Sequence, residues 1–149
     1  MVAPVPIQLV DEDVDDSDVP QDSNTASSKK HASPWATDVH VGECTIVNGT
    51  NNQRFVVWAI AIDTSKGGHM RLLKRYSEFD TLRNKLLNAF PDHSTEIPRL
   101  PPKKVFGNLK TEFLAKRRRG LEFFISCVLL NPVLGNSDIV KQFVSSATQ

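Results

Sequence analysis

The chain lacks the residues that would make it a disulfide scaffold or an integral membrane protein. Only two of its 149 residues are cysteine, Cys44 and Cys127. They show no C-x-x-C spacing and are expected to be buried free thiols of a reduced compartment. The longest uninterrupted apolar run, Phe55 to Ile62, has eight residues. A membrane span needs roughly 18. With no basic stretch and apolar core at the N-terminus, no secretory signal is expected, and any membrane contact is expected to be peripheral. Catalytic patterns are missing too. His31, His40, His69 and His93 are scattered, and there is no H-E-x-x-H, no G-x-S-x-G and no glycine loop ending in Lys-Ser/Thr. The sequence therefore predicts no enzyme, no metal site and no cofactor.

Charge of one sign is scarce in each part of the chain. Residues 1–38 hold eight Asp/Glu against two Lys, whereas residues 39–149 hold sixteen Lys/Arg against nine Asp/Glu, a net charge of +7. An acidic leading segment joined to a basic domain suggests a negatively charged partner for the domain. The leading segment is rich in Asp, Ser, Pro and Val and has little to bury, so residues 1–38 are expected to be disordered. Its one apolar patch is Met1 to Val10, containing Pro4, Pro6 and Ile7, and acids follow at once. Prolines hold such a segment extended and reduce the entropy lost on docking, which suits a short linear motif for a partner's groove or sheet edge.

From Val39 the pattern becomes strand-like. Apolar and polar residues alternate, Phe55 to Ile62 is apolar and β-branched, and Met70 to Arg75 follows the Gly67-Gly68 turn. Asn48-Gly49-Thr50-Asn51-Asn52 is a hairpin signal, so the three strands form an antiparallel meander. Ser77 with Asp80 resembles a capping box, and Phe79, Leu82, Leu86 and Phe90 share one helical face, giving a helix over 77–90 that Pro91 ends. Pro98, Pro101 and Pro102 make a stiff loop that displays Lys103 and Lys104. A second helix is expected over 110–130, with Leu114, Leu121, Ile125 and Val128 on its apolar stripe. A short last helix starts at Ser137-Asp138. The expected class is α+β: a three-stranded antiparallel meander on about three helices, over residues 39–146.

The joint Lys74-Arg75-Tyr76-Ser77-Glu78-Phe79 ends a strand and opens a helix. It offers a guanidinium, an aromatic ring and a hydroxyl beside the unpaired N–H groups of a helix N-terminus, which points to an anion, above all a phosphate. In the run Lys116-Arg117-Arg118-Arg119, Arg117 lies three residues after Leu114 and four before Leu121, on the stripe that otherwise faces the core. A charge stays there only if a pocket or an anion meets it. Arg118 and Arg119 are left for the general attraction to an anionic leaflet, about 1 kcal/mol per base. Val105, Phe106 and Leu109, beside the lysines, form a candidate apolar tip for a bilayer interface. Two other readings are open: Ile97 to Pro102 as an exposed P-x-x-P ligand, and the arginine run as a nucleic-acid patch. The second lacks interleaved aromatics, so no nucleic acid is expected.

Three motifs in order, Arg75-Tyr76-Ser77-Glu78-Phe79, Ile97 to Lys103, and Arg117-Arg118-Arg119-Gly120-Leu121-Glu122, resemble the phox-homology (PX) domain, a phosphoinositide-binding module. The resemblance implies that Arg75 grips the 3-phosphate of an inositol ring, Tyr76 packs on the ring and Ser77 adds a hydrogen bond. It implies that Lys103 meets the 1-phosphate and Arg117 the 4- and 5-hydroxyls. Lys74 replaces the first arginine usual at this motif, a departure taken as minor. Pro4-Val5-Pro6-Ile7-Gln8-Leu9, the acids after it and Cys44 to Gly49 are similar to fungal endosomal PX adaptors, whose P-x-P motif recruits a bridge-like lipid-transfer protein. The implied function is a non-enzymatic adaptor, cytoplasmic and peripheral on endosome and vacuole membranes, that binds phosphatidylinositol 3-phosphate. The alternative is a PX domain serving mainly as a protein-interaction module.

Overall fold

The structure, a computed structural model, describes residues 33–103 and 110–146. The expected partner motif at Pro4, Pro6 and Ile7 lies outside the described residues, as do Lys104 and the expected membrane tip at Val105, Phe106 and Leu109. Strands β1 (Ala36–Asn48), β2 (Arg54–Thr64) and β3 (His69–Arg75) form an antiparallel sheet in the order β1-β2-β3. Helices α1 (Tyr76–Ala89), α2 (Thr111–Leu129) and α3 (Asp138–Ser145) follow. This is the expected α+β meander with three helices. Among the described residues no helix is long and apolar enough to cross a membrane.

Strand β1 begins at Ala36, not at Val39, so the fold starts before the expected boundary. Ala36 is buried in the core, and just before it the Trp35 indole donates to the Gly135 carbonyl at 2.8 Å. Tertiary contacts thus recruit residues whose local composition reads as polar. The hairpin turn is a short 3-10 segment in which Asn51 and Asn52 have φ of 61° and 58°. Asparagine tolerates this left-handed region because its short amide bonds locally. In the next turn Gly67 takes φ of 80°.

One sheet face carries the core. Val41 pairs with Ile60, and Ile60 with Leu72. Trp58, Ile60 and Ile62, two residues apart along β2, are buried, as the strand period requires. Opposite them α1 buries Phe79, Leu82 and Leu86, and α2 buries Leu121, Phe124, Ile125, Val128 and Leu129. Phe79 joins the three helices: its ring meets Phe124 at 6.4 Å and Phe143 at 5.7 Å between centroids, both edge-on. Ser137 caps α3 by accepting from the Val140 amide, as its position predicts.

Two further expectations need correction. Helix α1 begins at Tyr76, and its start is fixed by Glu78, whose carboxylate accepts from the Arg75 amide at 2.8 Å, not by a Ser77 and Asp80 pair. A glutamate three residues past the cap reaches back to that amide, and Ser77 stands inside the first turn. Arg118 is no free surface base. It donates to the Val41 carbonyl at 3.0 Å, while Glu122 accepts from the Val41 amide at 3.0 Å. These two side chains, one turn apart on α2, hold β1 where its register shifts between Val41 and Cys44. β1 has a neighbouring strand on one side only, and Val41 turns both backbone groups to the partners that α2 supplies.

Candidate head-group site at the joint of β3 and α1

Strand β3 passes into α1 with no loop between them, so Arg75 is both the last strand residue and the N-cap of the helix. A guanidinium has donors only. It cannot accept from the first-turn N–H groups as a serine or aspartate cap would, and its charge adds to the positive end of the helix dipole. The Arg75 guanidinium lies 4.2 Å from the centroid of the Phe55 ring at the start of β2. Lys74, one residue earlier, points the other way and is buried at 1% exposure. Its ammonium donates to the carbonyl and hydroxyl of Ser146, at 2.7 and 2.9 Å, and lies 4.8 Å from the Phe143 ring centroid. Burial pulls this ammonium below the ordinary lysine value.

Tyr76 connects the other parts. Its hydroxyl donates to the Pro101 carbonyl at 2.5 Å, and burial raises the phenol above its ordinary value, so it remains a neutral donor. The Arg117 guanidinium stacks against the Tyr76 ring at 4.2 Å and the Phe113 ring at 4.5 Å, and donates to the Pro102 carbonyl at 2.8 Å. Its Nε is buried without a hydrogen-bond partner. Burial draws this guanidinium below its usual range, with the Tyr76 phenol acting in the opposite direction. The pocket demanded by a charge on the apolar stripe is therefore two aromatic faces and a carbonyl.

The proline loop is clamped along its length. The Arg83 Nε donates to the Pro98 carbonyl at 2.9 Å, and Tyr76 and Arg117 take the carbonyls of Pro101 and Pro102. Ile97 is buried at 3% exposure. With Ile97 buried, Pro98 and Pro101 half-buried and three carbonyls engaged, these contacts argue against a freely exposed P-x-x-P ligand. Lys103 follows Pro102 directly and is exposed, as is Ser77, whose carbonyl accepts from the Thr81 hydroxyl at 3.0 Å. Gly120 permits the clamp, since a Cβ there would come 2.3 Å from Cγ of Pro101.

Of the residues expected at the site, Tyr76 and Arg117 are in contact, Lys103 directly follows the Pro102 that Arg117 holds, and Arg75 and Ser77 flank Tyr76 in the chain, with the Arg75 guanidinium on Phe55. Phe55, Arg83 and Phe113 were not anticipated. Phe113 had a signal, since it stands four residues before Arg117 on one helical face. Phe55 and Arg83 had none. A separate cleft between α1 and α3, lined by Lys74, Lys85, Gln142, Phe143 and Ser146 among others, includes none of the expected head-group residues.

The family model described as PX domain matches residues 62–147. This chain belongs to the PX domain family. It is 36% identical over 96% of its length to the endosomal/vacuolar adapter protein YPT35 of Debaryomyces hansenii, covering 86% of that protein. It is 40% identical, again over 96% of its length, to the protein of that name from Meyerozyma guilliermondii, covering 91%. Among solved structures, a designed CISK-PX domain matches 74% of the chain and all of its own length at 31% identity, with a TM-score of 0.65. The mouse SNX19 PX domain, at 20% identity and a TM-score of 0.60, is similar in fold.

Proposed function

We propose that this PX domain binds phosphatidylinositol 3-phosphate and that the chain is a non-enzymatic adaptor on endosomal and vacuolar membranes. In this reading its leading segment, through Pro4, Pro6 and Ile7, recruits a bridge-like lipid-transfer protein to membrane contact sites. The observation that carries the lipid-binding part is the linkage round Tyr76. An arginine at a donor-rich helix start, an arginine stacked on the ring, and a lysine one residue past the clamped Pro102 supply three cations from three elements. Arg75 meets the 3-phosphate, Lys103 the 1-phosphate and Arg117 the ring hydroxyls, with Tyr76 as the floor. A planar fork and a helix N-terminus are the donors best suited to phosphate. Val105, Phe106 and Leu109, which follow Lys103 in the sequence, supply the second signal in this reading by entering the interface, since peripheral binding is stable when two weak signals combine. The adaptor part is supported by relatives named endosomal/vacuolar adapter proteins, which match 96% of this chain.

Vesicle co-sedimentation tests both parts. With vesicles containing phosphatidylinositol 3-phosphate, Arg75→Ala should lose binding while its circular dichroism spectrum stays native. A chain lacking residues 1–10 should bind as the full chain does but fail to carry the partner to the vesicles. Undiminished binding by Arg75→Ala, or recruitment by the truncated chain, would contradict the respective part.

A further inference from the structure

We infer that Phe113 is a positioning residue for the head-group site, the second wall of an aromatic brace that holds Arg117 ready before any ligand arrives. This rests on the reading of Arg117 as a head-group contact. An arginine has four side-chain torsions, and ordering them on binding subtracts from affinity. Here the ordering is already done. Guanidinium to ring-centroid distances of 4.2 Å to Tyr76 and 4.5 Å to Phe113 both lie in the cation–π range. One Nη2 proton is committed to the Pro102 carbonyl. The Nε is sealed from solvent without a partner, so only the Nη end remains for a ligand.

The two walls have different duties. Tyr76 is fixed by its own hydroxyl on Pro101 and serves as the floor for a ring. Phe113 comes from α2 itself, one turn before Arg117, and moves with it. An alanine at 113 opens one side of the guanidinium, admits water to Nε and returns the side chain to several rotamers. Tyr76 and Pro102 do not restore the lost wall.

The probe is soluble inositol 1,3-bisphosphate, measured by calorimetry, which removes membrane insertion from the readout. Phe113→Ala should weaken binding about three- to tenfold, the range of one partly desolvated cation–π contact. Phe113→Tyr should restore it, and Phe113→Leu, which keeps the apolar bulk without the π face, should fall between. In the Phe113→Ala, Arg117→Ala double variant the loss should equal that of Arg117→Ala alone, because the phenylalanine acts through the arginine. The Nε–H resonance of Arg117 should be exchange-protected in the wild type and lost in Phe113→Ala while the backbone spectrum persists. Additive losses, full binding by Phe113→Ala, or equal affinities for the leucine and tyrosine variants would overturn the brace. Full binding by Arg117→Ala would overturn the site assignment beneath it.

Discussion

Lys74 and Arg75 are adjacent bases with opposite fates, because strand alternation turns one into the core and the other towards Phe55. Replacement of arginine by lysine at 74 looked minor in the sequence. It is structural: a lysine reaches Ser146 and ties β3 to the end of α3. Its depressed pKa sets a sign for pH dependence. Between the lowered folded value and the ordinary 10.5, the unfolded chain binds more protons than the folded one, so this group's contribution to stability rises with pH. The raised Tyr76 phenol works the other way above its ordinary 10.0, losing stability as pH rises towards its folded value. The comparison with Lys74→Met isolates the lysine. In urea unfolding from pH 7 to 10.5 the wild type should gain stability relative to that variant. Parallel curves would contradict the buried-ammonium assignment. At this scale Arg75, Tyr76 and Arg117 were legible because a motif specifies residue types. Phe55 and the partners of Lys74 and Arg118 were not, because their roles arise only when distant segments meet.

At the scale of elements, the proline loop is where sequence and structure diverge most. That it could be neither helix nor central strand followed from Pro98, Pro101 and Pro102. That it would be held by Arg83, Tyr76 and Arg117 did not, since carbonyl acceptors leave no mark on the sequence. Gly120 separates two opposing effects. Alanine in a helix interior is favoured over glycine by about 1 kcal/mol, yet here its methyl would lie 2.3 Å from Pro101. Overpacking costs about 1–3 kcal/mol, so the clash outweighs the propensity. Gly120→Ala should lower the melting temperature and weaken vesicle binding together, because the displaced loop carries Lys103 and the acceptor of Tyr76. A gain in melting temperature with unchanged binding would show that the loop yields freely. The helices and strands themselves were readable to within a few residues. Errors fell at starts such as Ala36 and Tyr76, where a distant contact or a glutamate three residues on decides the boundary.

For the whole molecule, the basic domain behind an acidic leader was visible in the charge count alone, and three ordered motifs pointed to the PX family that the comparison shows. A net charge of +7 over residues 39–149 would attract any anionic surface. A shaped site discriminates among such surfaces, and that difference separates a head-group receptor from a sticky basic domain. Vesicles matched in total negative charge, each containing one phosphoinositide or only phosphatidylserine, test this most directly. Binding should be strongest with phosphatidylinositol 3-phosphate and persist at physiological salt there, while the other vesicles release the protein. Equal binding to all vesicles of the same charge would contradict the assignment of Arg75, Lys103 and Arg117 to one phosphorylated sugar.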